Sequence, residues 1–448
     1  MSAPMLSPAA ETAPRYTSYP TAPHFHAGVD AATVQGWMKA IPGEDRLSLY
    51  VHVPFCDRLC WFCACHTKQT LRYEPVAAFL ESLYAEISTV GGLLGGRGKV
   101  AALHFGGGSP TMLRPADTAV LMQALRGSFV FLPDASISVE IDPNDMDEGR
   151  LDALAGIGMT RASLGIQDFD PRVQKAINRD QSFADTRAVV DGLRARGVDS
   201  INLDLLYGLP HQSVDSVAAT VGQALSLRPD RIALFGYAHV PWFKKHQTMI
   251  DEAVLPGADE RMAQSRRAAV LIGEAGYVVI GIDHFALPTD TLALAAAAGS
   301  LRRNFQGYTD DACETLIGLG PSSVSRFRDG YAQNVPATGE YERRVREGGL
   351  ATVRGIALSD DDRLRAWVIE RLMCDFRFSA REATAKFGGA AHAVMAQASL
   401  MAQEPDPLLI DDGTYFAVPR GRRPLVRLAA ARFDAYLTAG SARHSAAV

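Results

Sequence analysis

Four of the six cysteines in this 448-residue chain fall within ten residues of one another, at Cys56, Cys60, Cys63 and Cys65. In the segment before them, residues 47–53, apolar and polar side chains alternate, which predicts a β-strand. Pro54 ends this strand, because proline has no N–H to donate to a neighbouring strand. The cysteines are therefore predicted to lie on a loop at the end of a strand, where protein scaffolds commonly present reactive groups.

Three kinds of site compete for this cysteine cluster. A structural zinc site usually combines a C-x2-C pair with a second pair further along, but Cys313 and Cys374 are isolated. A disulfide suits an oxidising compartment, whereas residues 1–16 have neither the basic start nor the apolar core of a secretory signal. Thiolates crowded on one loop of a cytosolic protein suit iron–sulfur ligation better. The spacing C-x3-C-x2-C would give three ligands to a four-iron cluster and leave one iron open.

The composition argues against several functional classes. The formal net charge is −5 and the sequence pI is about 6.1, so neither nucleic acid nor an anionic membrane surface is indicated as a partner. The longest apolar run, around residues 291–298, is too short to span a bilayer. We predict a cytoplasmic protein that acts away from membranes, with a monomer as the default state.

Strand-like and helical segments alternate from residue 47 to about residue 286. In the helical segments apolar residues recur at helical spacing, as at Val76, Phe79, Leu83 and Ile87. This alternation predicts an α/β fold, a partial (β/α) barrel whose functional groups sit at the carboxyl ends of parallel strands. The predicted strands are residues 47–53, 100–105, 135–142, 161–166, 200–207, 230–237 and 277–282.

We predict three regions along the chain. Residues 1–46 form an N-terminal arm or flap, residues 47–354 the barrel and its extension, and residues 355–448 a C-terminal domain. The aromatic-rich segment 15–26 could pack on the barrel or cover the mouth of a substrate site, and its residues alone leave both possibilities open.

The C-terminal region has its own pattern. Helical segments at 360–374 and 380–386, followed by a hairpin around residues 411–413, predict a small, mostly helical, winged-helix-like domain. Its arginines favour a lid or packing role over DNA binding, because the protein as a whole is acidic. These arginines are Arg420, Arg422, Arg423 and Arg427.

Glycines and polar residues stand at the ends of the predicted strands. The glycines at 106–108 follow an apolar strand and would let the backbone approach a ligand closely, or would simply form a turn. Glu140, Gln167 and Asp204 lie on or just beyond apolar strands, where polar groups are costly to bury unless they are paired. They could form an interior network or share a ligand. Four histidines near strand ends are more often packing residues than catalysts, namely His52, His104, His239 and His284.

Longer motifs point to a known family. The cysteine spacing after a strand, with Phe62 beside the third cysteine, resembles the signature of the radical S-adenosylmethionine (SAM) superfamily. Further motifs narrow the resemblance to the oxygen-independent coproporphyrinogen III oxidases, and the similarity runs from about Arg15 into the C-terminal region. These motifs are RYTSYPTA (15–22), HFGGGSPT (104–111), SVEIDP (138–143), SLGIQDF (163–169), NLDLLYGLP (202–210), FGYAHVP (235–241), GIDHFALP (281–288) and RNFQGYT (303–309).

The resemblance implies a reaction, its cofactors and its partners. A [4Fe-4S] cluster and SAM, in two molecules, would generate a 5′-deoxyadenosyl radical. This radical would start the oxidative decarboxylation of two propionates of coproporphyrinogen III to the vinyl groups of protoporphyrinogen IX. A donor such as flavodoxin or ferredoxin and an unknown acceptor would exchange electrons with the enzyme. Two alternatives share this machinery: a haem-binding chaperone, against which the arm motif and Cys65 argue, and another radical SAM reaction on a tetrapyrrole.

The resemblance also assigns residues. It assigns the cluster to Cys56, Cys60 and Cys63, and it implies no catalytic residue beyond the cluster and SAM. Cys65, which by type could be a fourth ligand or a structural thiol, is implied to face the substrate or the second SAM. Gly236 stands where some members have asparagine, so no side-chain hydrogen bond is expected there. The residues implied to contact SAM are Tyr50, Phe62, Cys65, Gly107, Gly108, Ser109, Glu140, Gln167, Arg179, Asp204, Ala238 and Val324.

The substrate that the resemblance implies carries four propionate groups. Carboxylates are bound by arginine, lysine or backbone donors. The candidates by residue type are Arg302, Arg303, Lys244 and Lys245.

Overall fold

The computed structural model describes residues 13–437. Its strands are β1 Arg46–Val53, β2 Phe55–Cys56, β3 Lys68–Gln69, β4 Lys99–Gly107, β5 Phe131–Ile141, β6 Arg161–Gln167, β7 Ser200–Tyr207, β8 Arg231–Gly236, β9 Val278–Ile280, β10 His284–Ala286, β11 Arg302–Asn304, β12 Gly307–Thr309, β13 Thr315–Leu319, β14 Val324–Phe327, β15 Gly330–Asn334, β16 Thr352–Ala357, β17 Arg377–Ser379, β18 Ile410–Asp411 and β19 Tyr415–Ala417.

The α-helices are α1 Ala31–Lys39, α2 Glu74–Leu94, α3 Pro115–Ser128, α4 Glu148–Gly156, α5 Pro171–Ala176, α6 Phe183–Ala195, α7 Val214–Ser226, α8 Ala258–Glu274, α9 Thr291–Ala297, α10 Thr338–Arg346, α11 Asp360–Asp375, α12 Ala380–Phe387, α13 Ala391–Ala402 and α14 Val426–Ala431. Short 3-10 helices occupy Ala22–His24, Pro110–Met112, Pro143–Asp145, Lys245–Met249, Glu252–Val254, Gly388–Ala390 and Arg420–Leu425. Between residues 13 and 437, no helix combines the length and the apolar character needed to cross a membrane.

Twelve strands form one sheet, in the order β16-β15-β14-β13-β1-β4-β5-β6-β7-β8-β10-β9. The seven central strands, from β13 to β8, run parallel, and the strands at both edges are antiparallel. The edge strands β16 and β9 stand at opposite ends of the order, so the sheet does not close. The predicted α/β partial barrel is therefore confirmed.

Strand β1 shows why the sequence alternates before the cysteines. Leu49 and Val51 are almost fully buried in the main hydrophobic core. The polar side chains on the other face are also buried, since only 3% of Ser48 and 6% of His52 is exposed. In a barrel of parallel strands, one face meets the helices and the other faces the barrel interior. The alternation thus marks a polar interior rather than a solvent-facing surface.

The last predicted strand differs from its prediction. The strand predicted at 277–282 corresponds to the shorter strand β9. Strand β9 runs antiparallel to β10, and β10 runs antiparallel to β8. Only residues 281–283 separate β9 from β10, and a parallel connection needs a crossover of a dozen or more residues. Gly281 takes a positive φ of 57° in this turn. The seventh parallel place is taken by β13, which pairs with β1.

The N-terminal arm, residues 13–26, lies between the barrel and the C-terminal helices. Tyr16 and Tyr19 are part of the hydrophobic core built by α11, α13 and α14, and the Tyr16 hydroxyl donates to Asp434 at 3.1 Å. Phe25 instead stacks on Tyr331 of β15, with ring centroids 5.8 Å apart. The arm therefore packs in two directions, with the two tyrosines on the C-terminal core and Phe25 on the sheet.

The C-terminal elements follow the prediction closely. Helices α11 and α12 confirm the two predicted helical segments, and β18 and β19 form the predicted hairpin, with β17 added to it. Strand β16 runs across the predicted boundary at residue 354. Helix α1, within the predicted arm, buries Val34 and Met38 in the main core. The residues 1–12 and 438–448 of the predicted regions lie outside the described residues.

Candidate functional site

The cysteine loop, residues 54–70, begins where β1 ends and is tied at both ends. Its first strand, β2, pairs with its last strand, β3, so Cys56 lies opposite Gln69. Inside the loop, the Cys63 N–H donates to the Cys60 carbonyl at 3.2 Å. All the cysteines are free thiols. The polypeptide itself therefore brings Cys56, Cys60 and Cys63 to the carboxyl end of the parallel sheet.

Side chains from the segment after β8 hold the loop by its carbonyl oxygens. This segment includes the 3-10 helix Lys245–Met249. Sequence reasoning missed His246 and Gln247, because no motif or periodicity marks a side chain that acts by binding backbone groups of a distant segment. The contacts are Gln247 Nε2 to the Phe62 oxygen at 2.9 Å, His246 Nε2 to the Cys63 oxygen at 2.6 Å, and Lys244 Nζ to the Cys65 oxygen at 2.9 Å.

The three thiols with the predicted spacing have different electrostatic surroundings. Burial raises the pKa of Cys56 to about 12 and also raises that of Cys60. The Arg179 guanidinium donates to Cys60 Sγ at 3.5 Å and to Asp142 at 3.0 Å, which opposes the effect of burial on Cys60. A hydrogen bond from Cys65 lowers the pKa of Cys63 to about 7. Thiolate, the form that binds metals, is thus favoured at part of this loop even without a metal.

The donor set fits a multi-iron cluster better than a single ion. In the described part of the chain, no group of three or more His, Cys, Asp or Glu side chains converges on one metal position. The charge on each of Cys60 and Cys63 nevertheless raises the pKa of Cys56, so the three sulfurs share one small region. A cluster spreads its thiolate ligands over several iron atoms. Three separated thiols facing one space are what such a cluster requires.

Cys65 and Tyr50 indicate an enclosed space beside the thiols. Cys65 has an exposed surface, yet hydrogen bonding with Cys63, the charge of Cys63 and burial together raise its pKa. Tyr50 is partly accessible, and burial followed by the charge of Glu140 raises its pKa. We interpret side chains that are open to solvent yet largely surrounded by protein as the wall of a cavity, which would lie on the interior face of β1 next to the cysteine loop.

Glu140 organises the wall of this cavity. Its Oε1 accepts a hydrogen bond from His104 Nε2 at 3.1 Å, and its Oε2 accepts one from the Gly107 N–H at 3.0 Å. Burial alone would raise its pKa, but these donors prevail and lower it, so the carboxylate stays ionised. Tyr50 stacks on His104 with centroids 5.8 Å apart. The site therefore presents a fixed anionic acceptor.

His52 is a structural histidine. Its Nε2 donates to the His66 carbonyl at 2.8 Å, which leaves Nδ1 to accept from the Tyr50 hydroxyl at 3.0 Å. Burial lowers the pKa of His52 to about 4. At neutral pH the ring is uncharged and both nitrogens are engaged, as expected of a packing residue.

The glycine loop, residues 106–109, is in close contact with neighbouring protein atoms. A Cβ on Gly107 would lie 2.5 Å from the His52 ring, and one on Gly108 would lie 2.4 Å from the Phe55 carbonyl oxygen. Gly107 also has a positive φ of 108°. The sequence pattern suggested room for a ligand, whereas the structure shows that glycine is needed for contact with β1 and the cysteine loop.

The amide groups of the glycine loop are already used. These N–H groups donate within the protein and are not free for a ligand. An amine bound at this loop would donate its hydrogen bonds to carbonyl oxygens. The donors are Gly107 N to Glu140 Oε2 at 3.0 Å, Gly108 N to the Val53 oxygen at 2.7 Å and Ser109 N to the Phe55 oxygen at 2.7 Å.

Asp204 and Gln167 lie on the next strands of the barrel wall. Asp204 accepts from Asn202 Nδ2 at 2.8 Å and from the Ser163 hydroxyl at 3.1 Å, while burial raises its pKa. Gln167 takes a positive φ of 68° at the end of β6. Asn202 Oδ1 is buried without a hydrogen-bond partner among the described residues. This part of the wall keeps unused hydrogen-bonding capacity.

The remaining predicted residues are distributed more widely. The Ala238 carbonyl accepts from Gln247 Nε2 at 3.3 Å, close to the cysteine loop. Val324 begins β14 and packs with Phe25 of the arm. Lys244 contacts the cysteine loop, as described above, whereas Arg302 pairs with Glu370 at 2.8 Å in the C-terminal domain. Cys313 is partly exposed, and its N–H donates to Asp311 at 2.9 Å.

Asp145 stabilises the end of the glycine loop and provides a pH test. Its Oδ2 accepts from the Ser109 hydroxyl at 2.5 Å and from Thr111 at 3.2 Å. Burial raises its pKa from 3.8 to about 6. The folded state then holds a proton that the unfolded state has lost, so stability falls as pH rises from about 4 to about 6.

We expect Asp145→Asn to remove this loss. Relative to the wild type, the variant should gain about 1 to 2 kcal/mol in the free energy of unfolding between pH 4 and pH 7, after allowance for solvent screening. Urea unfolding of the cluster-free protein across this range measures the difference. Asp147→Asn is the control with the opposite trend, because hydrogen bonds from Arg150 lower the pKa of Asp147. A pH-independent difference for Asp145→Asn would contradict the assignment.

Comparisons with known proteins agree with this geometry. The radical SAM superfamily matches residues 50–224. The sequence is 48% identical to the oxygen-independent coproporphyrinogen III oxidase of Bradyrhizobium diazoefficiens, over 98% of both chains. It is 49% identical to that of Paracoccus denitrificans, over 97% of this chain and 96% of the relative. The solved structure of coproporphyrinogen III oxidase from Escherichia coli, described as a radical SAM enzyme, matches with a TM-score of 0.91 and 38% identity, over 94% of this chain and 98% of that chain.

Proposed function

Because the chain belongs to the oxygen-independent coproporphyrinogen III oxidases, a radical SAM family, we propose that it converts coproporphyrinogen III to protoporphyrinogen IX without oxygen. The reaction is the oxidative decarboxylation of two propionate side chains to vinyl groups. The observation that carries this proposal is the cysteine loop, which brings three free thiols to the carboxyl end of the parallel sheet.

The cofactors are a [4Fe-4S] cluster and SAM. We assign the cluster to Cys56, Cys60 and Cys63. When bound, the cluster and SAM together supply the 5′-deoxyadenosyl radical that removes a hydrogen atom from a propionate, and such chemistry belongs to the cofactors rather than to the protein. The residues that we assign to SAM, two molecules of it, are Tyr50, Phe62, Cys65, Gly107, Gly108, Ser109, Glu140, Gln167, Arg179, Asp204, Ala238 and Val324.

The chain's own groups position and shield the reactants. Glu140 stays ionised and can accept hydrogen bonds from hydroxyl or amino groups of a bound molecule. His52 is neutral, and the raised pKa of Tyr50 keeps its hydroxyl protonated at neutral pH. Neither group is suited to take a proton, and loss of carbon dioxide from a radical needs no base. We propose that the arm and the cysteine loop limit the access of bulk water to the bound reactants.

We propose a small one-electron carrier, such as flavodoxin or ferredoxin, as the electron donor. The exposed residues Lys68 and Gln69 indicate that the end of the cysteine loop can be approached from outside. A separate, still unknown acceptor would take the electron left after each decarboxylation. The protein would act as a monomer in the cytoplasm, without nucleic acid or membrane partners.

An anaerobic assay tests the proposed function. The reconstituted protein is incubated with coproporphyrinogen III, SAM, a strong reductant and a cell extract that supplies the electron acceptor. We expect two successive losses of carbon dioxide, seen by HPLC and mass detection of the oxidised products, and no product when SAM is omitted. SAM cleavage without change of the porphyrinogen would point to another substrate. If a cluster-loaded sample showed neither reaction, the haem-binding alternative would replace this proposal.

A further inference from the structure

Three arginines meet where the arm crosses the carboxyl end of β8. Arg15 of the arm donates through Nη2 to the Gly236 carbonyl at 3.1 Å. Arg303 donates through Nη2 to the Arg15 carbonyl at 3.3 Å. Arg261 of α8 donates to the Tyr237 carbonyl at 2.8 Å. We call Arg15, Arg261 and Arg303 the arginine cluster.

The arginine cluster makes its hydrogen bonds with backbone carbonyls. Among residues 13–437, none of its three guanidinium groups has a carboxylate within ion-pair distance. The charge of Asp283 raises the pKa of Arg15 and of Arg303 without a direct ion pair, while Asp283 Oδ1 is bound to His284 at 2.7 Å, so a single carboxylate stands against the cluster. The cluster therefore carries more positive charge than its surroundings neutralise.

One guanidinium nitrogen of the cluster has no partner. Only 8% of Arg303 is exposed, and its Nη1 is buried without a hydrogen-bond acceptor in the described part of the chain. A buried polar group without a partner is costly, and the cost is larger for a charged one. Such a donor is therefore suited to an acceptor that the polypeptide does not itself provide.

Arg15 keeps part of its side chain open to solvent. Burial lowers the pKa of its guanidinium, the charge of Asp283 opposes this effect, and the charge of Arg303 adds to it. The guanidinium therefore stands beside buried charged groups while a ligand can still reach it. The charge of Glu140 raises the pKa of Asp204, and His284 beside Asp283 acts on Asp204 in the opposite direction. These interactions connect the arginine cluster to the wall that holds Glu140.

Aromatic rings stand next to the cluster. His284 meets Phe235 and Tyr308 edge to face, with centroids 5.4 Å and 5.3 Å away. The Arg303 guanidinium lies 4.4 Å from the centre of the Tyr308 ring. Flat apolar surfaces beside unneutralised guanidinium groups match a ligand that is planar or cyclic, apolar in its centre and carboxylated at its edge.

We propose that Arg15 and Arg303 bind a propionate carboxylate of the tetrapyrrole, with Arg261 adding positive charge. This inference rests on the proposed function and adds to it the residues that recognise the substrate. A guanidinium binds a carboxylate through paired N–H donors, and the unused Nη1 of Arg303 and the accessible part of Arg15 supply such donors. Of the candidates chosen by residue type, Arg303 remains, whereas Arg302 is paired with Glu370.

The test measures binding to the cluster-loaded protein by fluorescence quenching, without oxygen. The probes are coproporphyrin III, the stable oxidised form of the substrate, and its tetramethyl ester, which lacks the negative charges. The variants are Arg15→Gln and Arg15→Lys. Arg266→Gln is the matched control, because Arg266 is exposed on the same helix as Arg261.

For Arg15→Gln we expect the Kd for coproporphyrin III to rise about 10- to 100-fold, the loss typical of one charged hydrogen-bonded contact. Arg15→Lys should lose less, Arg266→Gln should match the wild type, and the Kd for SAM should not change. The ester should bind the wild type weakly and Arg15→Gln equally weakly. An equal loss for the acid and the ester, or a weakened SAM affinity instead, would overturn the proposal.

Failure of the proposed function would look different. In that case the wild type would bind neither porphyrin while still cleaving SAM, and both proposals would fall together. A second outcome is that the wild type binds and converts the substrate while the Kd of Arg15→Gln for coproporphyrin III stays within threefold of the wild-type value. That result would overturn the assignment of the carboxylate site and leave the proposed function standing. Near-ultraviolet circular dichroism of each variant shows whether the arm has kept its packing.

Discussion

Cys60→Ser is expected to bind almost no cluster and to convert no coproporphyrinogen III. A serine hydroxyl is a much harder ligand than a thiolate and does not ionise at neutral pH, so it cannot replace sulfur at an iron site. Cys60 is also the thiol that receives the Arg179 guanidinium, at 3.5 Å, so the substitution removes the one sulfur beside a fixed positive charge. Iron and sulfide analysis after reconstitution, with visible and EPR spectra, measures the loss directly.

Cys313→Ser is the control for this substitution. Cys313 is a partly exposed thiol whose backbone N–H donates to Asp311 at 2.9 Å, away from the cysteine loop. A hydroxyl is compatible with those polar surroundings, so iron content and turnover should match the wild type. A Cys60→Ser protein with a full complement of iron would exclude Cys60 as a ligand, even if activity were lost.

Glu86→Ala is expected to cause the largest loss of stability. Glu86 of α2 is 2% exposed and accepts from the Gly320 N–H at 2.6 Å, from Asn334 at 2.7 Å and from the Tyr341 hydroxyl at 2.7 Å. Removing the carboxylate leaves the buried Gly320 N–H and Tyr341 hydroxyl without an acceptor, whereas Asn334 Nδ2 keeps the Gly320 carbonyl at 3.0 Å. We expect the free energy of unfolding to fall by about 3 to 5 kcal/mol.

The effect of Glu86→Ala should extend to the cysteine loop. Gly320 follows β13, and a Cβ there would lie 2.5 Å from the His52 carbonyl oxygen, so this turn is packed against β1. Urea unfolding of the cluster-free protein gives the stability, and the yield of reconstituted cluster shows whether the loop is disturbed. Glu81→Ala, an exposed position on the same helix, should leave both unchanged. A loss below about 1 kcal/mol would mean that water replaces the carboxylate.

The parallel core of the fold could be predicted because each strand carries its own local signal. Alternation in residues 47–53 and the apolar runs at 100–105 and 200–207 lie within the observed β1, β4 and β7. The seventh parallel strand, β13, was missed because it enters the sheet next to β1, more than 260 residues away in sequence. Pairing partners at that distance leave no trace in local periodicity.

Some residues of the candidate site could also be predicted from local sequence patterns, and others could not. The cysteines are recognised by their spacing, and Glu140 is recognised as a carboxylate between apolar residues. Nothing local distinguishes His246 or Gln247, whose function is to hold carbonyl oxygens of another segment. The glycines were recognised, but their reason was not, because the neighbours that exclude a Cβ belong to β1 and the cysteine loop. The roles assigned to SAM-contacting residues stay predictions.

The contacts of the arm determine when it can fold during synthesis of the chain. Tyr16 donates a hydrogen bond to Asp434, which lies 418 residues later in the sequence. A ribosome adds about 5 to 20 residues per second, so the arm would wait about 20 to 80 seconds before its partner exists. During that interval the strands of the barrel can assemble before the arm has its final contacts. The two tyrosines of the arm reach their buried positions only after α11, α13 and α14 have been made.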